Sequence, residues 1–174
     1  MNRPMNPDET TRQALIALIP RLRRFARVLT AGSIADADDV VQASLEKAMV
    51  NLDQWQPGTR LDAWVFRIAR NHWVDDRRRA YNAKGHDDIG EMLDLAGDDG
   101  VAVTEASADA RMVRAAVDNL PPEQRDVVAL VMLEELSYRE AADMLGLPIG
   151  TVMSRLSRAK AALAKRLTAE GTLQ

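Results

Sequence analysis

The chain has 174 residues, with 23 Lys or Arg, 26 Asp or Glu, two His and no Cys, a length that suits one ordinary domain or two small ones. Without cysteine there is no disulfide framework, thiolate metal site or cysteine nucleophile, and His72 and His86 alone make no multi-histidine centre, so no metal or other cofactor is expected. No apolar run reaches the roughly 20 residues of a membrane span and residues 1–12 lack a signal peptide's apolar stretch, which places the expected chain in the cytoplasm.

Aromatics are only 4% while Ala, Leu and Val abound, a balance that predicts an all-α fold. The overall charge of −3 is unevenly spread: residues 12–80 carry a net +4, residues 81–107 a net −6, and residues 150–166 five basic and no acidic side chains. The middle segment holds four glycines and no sustained helical period, and is longer than ordinary loops. The expected organisation is two small helical domains, residues 1–80 and 108–174, joined by an acidic linker at 81–107.

In chain order, the first predicted helix carries Leu15, Leu18, Ile19, Leu22, Phe25, Ala26 and Leu29 at i, i+3, i+4 spacing. Pro20 is expected to kink or restart it, and Ala31-Gly32-Ser33 to end it. A second helix is expected to take Asp36 as N-cap and to turn Val40, Val41, Leu45, Ala48, Met49 and Leu52 inward. After Gln56-Pro57-Gly58-Thr59, a third helix is expected to face Leu61, Trp64, Val65, Ile68, Ala69 and Trp73 inward, leaving Arg60, Arg67, Arg70, Asn71, Arg77, Arg78 and Arg79 on its other face. Composition leaves two readings of that face open, a solvated basic surface or a track for single-stranded nucleic acid with a stacking ring beside it.

The second half is more specific. Pro121 and Pro122 separate two helices, and Ser137 with Glu140 forms a capping box ahead of a short helix. Gly146 stops that helix, Leu147-Pro148-Ile149-Gly150 makes a turn, and a basic helix of about 17 residues follows. Short helix, turn and basic helix spell a helix-turn-helix. Leu145, Ile149, Val152 and Leu156 are expected to form the helix–helix contact, which leaves Thr151, Ser154, Arg155, Arg158 and Lys160 outward to meet phosphates and base edges. No acidic residue occurs between Asp143 and Glu170, unlike the mixed signs of an ordinary solvated face. No nucleophile–base pair, phosphate loop or paired-carboxylate site is apparent, so an enzyme is not expected.

The order of these parts resembles the extracytoplasmic-function sigma factors of bacterial RNA polymerase, within the sigma-70 type. Residues 36–55, DADDVVQASLEKAMVNLDQW, are similar to that family's polymerase-binding region 2.2; residues 60–79, RLDAWVFRIARNHWVDDRRR, to its melting and −10 block; residues 119–166, from NLPPEQR through SYREAA to PIGTVMSRLSRAKAALAKRL, to its region 4. The stretch from Leu18 with WQPGT further resembles the general-stress-response branch of alphaproteobacteria.

The resemblance implies a non-catalytic protein that binds core RNA polymerase and promoter DNA and is held inactive by an anti-sigma factor. It implies docking on the β′ clamp helices and β flap, with Asp39, Gln42 and Lys47 as polymerase contacts. For the −10 element it implies Gln56, Thr59, Arg60, Asn71, Trp73, Arg77, Arg78 and Arg79. For the −35 element it implies Arg139, Thr151, Met153, Ser154, Arg155, Arg158 and Lys160. Ala43 and Leu45 depart from the family's usual acid and aromatic, and Met153 stands where a basic residue is common, which suggests apolar contact with a thymine methyl group.

Overall fold

The computed structural model describes residues 9–83 and 108–171, and among these every regular element is helical. Helix α1 (Glu9–Leu29) buries Leu15, Leu18, Leu22, Phe25, Ala26 and Leu29. It runs through Pro20 without restarting. Pro20 is exposed, on the side where the carbonyl it leaves unbonded can be hydrated.

The chain turns at Ala31 (φ 52°) and Gly32 (φ 87°). Ser33, not Asp36, caps α2 (Ile34–Val50), its hydroxyl accepting from the Asp36 N–H at 3.3 Å. Asp36 instead occupies the first turn, where a negative charge suits the helix dipole. Helix α2 buries Ala37, Val40, Val41, Ser44 and Ala48, whereas Met49, expected inside, is exposed next to Val50. In α3 (Leu61–Ala83) the buried residues are Val65, Phe66, Ala69 and Tyr81. Phe66, which the sequence pattern passed over, lies fully buried with its ring 4.9 Å from that of Phe25, while Leu61, Trp64, Ile68 and Trp73 are half-buried. The helix also extends three residues past 80, and Tyr81 in that last turn is buried. The acidic segment from 84 to 107 lies outside the described residues.

The C-terminal group comprises α4 (Ala108–Asp118), α5 (Pro122–Val127) with its π-helical continuation Val128–Leu133, α6 (Tyr138–Leu145) and α7 (Ile149–Gly171). The buried Arg125 donates from Nη1 to the carbonyls of Asp118 (3.0 Å) and Leu120 (2.7 Å), closing the α4–α5 corner. The wide π turn is tied by Glu134 N–H to the Ala129 carbonyl (3.0 Å). The capping box is formed: the Ser137 hydroxyl accepts from Glu140 N–H while the Glu140 carboxylate accepts from Ser137 N–H at 2.8 Å. Gly146 ends α6 at φ 65°, a left-handed conformation that glycine adopts without a side-chain clash. Helix α7 is longer than expected at 23 residues and starts at Ile149, because the Pro148 carbonyl accepts from Thr151 and Val152. Ile149 is 38% exposed, whereas Leu145 of α6 and Val152, Leu156 and Ala159 of α7 are buried.

Helix α1 packs against α5 and the π turn, and buried residues of both halves form one continuous apolar cluster. The two helical groups expected on a tether are therefore in direct contact. No described helix is long and apolar enough to cross a membrane.

Candidate nucleic-acid interface

Val152, Leu156 and Ala159 anchor α7 inward, which fixes what the opposite side presents. Thr151, Ser154, Arg155 and Arg158 follow at i, i+3, i+4 and i+7 on one face. Ser154 and Arg158 are exposed, Thr151 and Arg155 half-buried. Met153, 51% exposed, and Lys160 make a second outward row seven residues apart. The Ser154 hydroxyl donates to the Thr151 carbonyl at 3.0 Å, leaving its lone pairs outward. Arg139 is exposed on α6, beside Tyr138, which is 40% exposed. The structure thus gathers all seven −35 candidates on α6 and α7.

The −10 candidates divide into two sets. In the loop before α3, the Thr59 hydroxyl (2.7 Å) and N–H (3.1 Å) both donate to the Gln56 carbonyl, closing a turn with Gly58 at φ 91°. Arg60, Arg67, Asn71 and Arg78 follow at intervals of seven, four and seven on one exposed side of α3. Arg67 belongs to this row although the family pattern did not single it out, and the spacing alone was the available signal. Arg79 is exposed nearby. Trp73 and Arg77 sit elsewhere: the Trp73 ring is half-buried against the core, and the Arg77 guanidinium lies 5.3 Å from its centroid. Arg70 is drawn to Asp126, Nε to Oδ2 at 3.1 Å.

On α2, Asp39 and Gln42 are exposed, with Gln42 Nε2 donating to Glu46 at 3.0 Å. Lys47 Nζ approaches His72 Nδ1 at 3.2 Å. Burial first, and then the Lys47 charge, push the His72 pKa down, which favours a neutral ring accepting from the ammonium. Val50, 80% exposed, and Met49 extend this surface with apolar area.

Sequence reasoning missed the charges between the two helical groups. Arg21 of α1 donates to Glu134 (Nη2, 2.7 Å; Nε, 3.0 Å) and to Asp62 (3.1 Å). Its guanidinium lies 5.4 Å from the Phe66 ring centroid. Arg60 reaches Asp62 at 2.9 Å and Glu140 at 3.2 Å. The Arg60 hydrogen bond is the main cause holding the Asp62 carboxyl at about 2. Burial pushes Glu134 and Asp126 up, against the pull of Arg21 and Arg70. Partners 113 residues apart leave no local pattern to read.

The sequence profile of the sigma-2 domain of PhyR matches residues 15–70, which make α1 to the first half of α3. That of sigma-70 region 4 matches residues 110–163, covering the helix-turn-helix. The extracytoplasmic-function RNA polymerase sigma factor EcfG of Rhodopseudomonas palustris is 36% identical over 94% of this chain and 88% of its own. The chain belongs to the extracytoplasmic-function sigma factors. RNA polymerase sigma factor HrpL of Pseudomonas syringae is 33% identical over 94% of this sigma factor and 91% of its own length. Among solved structures, the sigma factor RpoE bound to the anti-sigma factor NepR, from Bartonella quintana, superposes with a TM-score of 0.79 at 29% identity. It covers 92% of this chain and 98% of its own. In this sigma factor the region 4 match takes in the outward rows of α7 from Thr151 to Lys160, and the sigma-2 match takes in Arg60 and Arg67 of the row along α3.

Proposed function

We propose that this sigma factor docks on core RNA polymerase and directs promoter-selective initiation in the cytoplasm, residues 1–80 serving the −10 element and polymerase binding and residues 108–174 the −35 element. Residues 81–107 would join them by threading a basic channel of the polymerase. The supporting observation is the outward side of α7, where Thr151, Ser154, Arg155 and Arg158 share one face with no acidic side chain among them. Hydroxyls and guanidinium groups in that arrangement fit a major groove, because they bond both base edges and phosphates. Met153 adds an apolar contact suited to a thymine methyl group.

Arg60, Arg67, Asn71, Arg78 and Arg79 would follow the opened −10 strand, with the loop Gln56–Arg60 holding an unstacked base. Asp39, Gln42 and Lys47, flanked by Met49 and Val50, would meet the polymerase. Each small domain makes few phosphate contacts, so the free chain binds DNA weakly. Polymerase binding then adds the two modest affinities through effective concentration. An anti-sigma protein would hold the chain inactive, as NepR is bound to its RpoE relative. The role is physical, not catalytic: strand opening comes from capturing bases.

Nuclease footprinting with and without core polymerase tests this reading. The prediction is protection of both promoter elements only when polymerase is present; a full footprint from the chain alone would support a polymerase-independent DNA-binding protein instead.

A further inference from the structure

The ion pairs between the two helical groups do not contact polymerase or DNA in the scheme above, yet they involve a residue that scheme needs. Arg60 is bound on one side by Asp62 and on the other by Glu140 of α6. Beside it, Arg21 bridges Asp62 and Glu134, whose side chain is fully buried. Glu135 lines the same cleft. The cleft therefore holds two guanidinium groups and three carboxylates, and Glu140 adds a fourth carboxylate at Arg60. A third link joins Arg70 to Asp126. The packing is close at the far edge too: a Cβ added at Gly32 would lie 2.7 Å from Asp118 Oδ2.

We infer that the free chain is held closed by an ionic latch that occupies Arg60, so that promoter DNA and the chain's own α6 compete for one guanidinium. The inference rests on reading the loop Gln56–Arg60 as a promoter contact. A phosphate approaching Arg60 in the closed chain must displace Glu140 and meets Asp62, Glu134 and Glu135 behind it, a field that repels it. The latch is also releasable. Partly buried ion pairs specify a geometry more than they strengthen it, and an anionic competitor at Arg60 removes one link directly. Opening frees Arg60 and separates α6 from the loop at the same moment, which couples −10 reading to release of the helix-turn-helix.

The cysteine-free sequence makes the test clean. A Cβ at Gly32 would lie 3.3 Å from Asp118 Cγ, near where a cysteine sulfur would stand. The double variant Gly32→Cys/Asp118→Cys can therefore close a disulfide only while the two groups are packed. Its backbone strain at residue 32 is the same in both redox forms. The expected result is ready oxidation of the free protein, promoter-directed run-off with core polymerase reduced to about a tenth or less, and recovery on adding reductant. An oxidised form as active as the reduced one, or a pair that never oxidises, overturns the inference.

A second arm needs neither DNA nor polymerase. Dyes placed through Thr10→Cys and Ala164→Cys report the separation of the groups by energy transfer. Glu140→Gln, which preserves the capping box and weakens one charged hydrogen bond, should raise the extended fraction about tenfold, and Glu134→Gln, which weakens two, at least as much. Unchanged transfer in both variants overturns the latch. A failed sigma-factor reading shows differently: wild type without promoter-directed RNA, while oxidation and energy transfer behave as described.

Discussion

Asp62 is the junction between the promoter loop and the body of the protein, and its replacement by asparagine gives a graded test of that geometry. Its carboxylate accepts from Arg60, Arg21 and the Ala63 N–H. Together these hold the acid at about 2 against the ordinary 3.8. A difference of that size corresponds to roughly 2 kcal/mol. Because the Arg60 side chain is 42% exposed and partly screened, about 1–2 kcal/mol is the expected loss in Asp62→Asn near neutral pH. Folding lowers this pKa, so the contribution is complete above the unfolded value and disappears as pH falls through the folded one. Urea unfolding of wild type and Asp62→Asn, followed from about pH 7 to about pH 2, should give two stability curves that converge at the acid end. A gap that stays constant over the whole range would show that Asp62 is not held by these charges.

Other substitutions separate packing from recognition. Phe66→Ala should lose about 3–5 kcal/mol in chemical denaturation, because it empties a fully buried site against Phe25. Ser137→Ala should cost about 1 kcal/mol through the lost cap of α6, and the same measurement should find Glu140→Gln with that cap preserved. Arg155→Ala and Arg158→Ala should each lose about 1–3 kcal/mol of −35 discrimination in competition binding of the holoenzyme. Asn71→Ala should reduce permanganate-detected strand opening more than duplex binding.

The parts of the fold legible in the sequence are those where local chemistry decides the structure. The spacing from Leu15 to Leu29 placed α1, and Ser137, Glu140 and Gly146 bounded α6, because capping and left-handed glycine act within a few residues. Where several residues competed for one role, tertiary packing chose. Ser33 rather than Asp36 caps α2, and Phe66 rather than Trp73 fills the core, since the neighbouring helices determine which side is covered. Pro20 misled for the same reason, as an exposed side tolerates a missing hydrogen bond. In the candidate interface, the α7 face was readable from periodicity and charge sign. The engagement of Arg60 with Glu140, and of Arg21 with Glu134, depends on how two distant segments meet, which local spacing does not encode.

The central claim is that two helical domains select a start site together with core polymerase. Run-off transcription by core polymerase plus this chain, on a library randomised across the −35 and −10 elements, tests it most directly. The account predicts enrichment of one defined pair of elements, with −35 preference relaxed in Arg155→Ala. Transcripts drawn evenly from the library, or the same distribution with and without the chain, would contradict it.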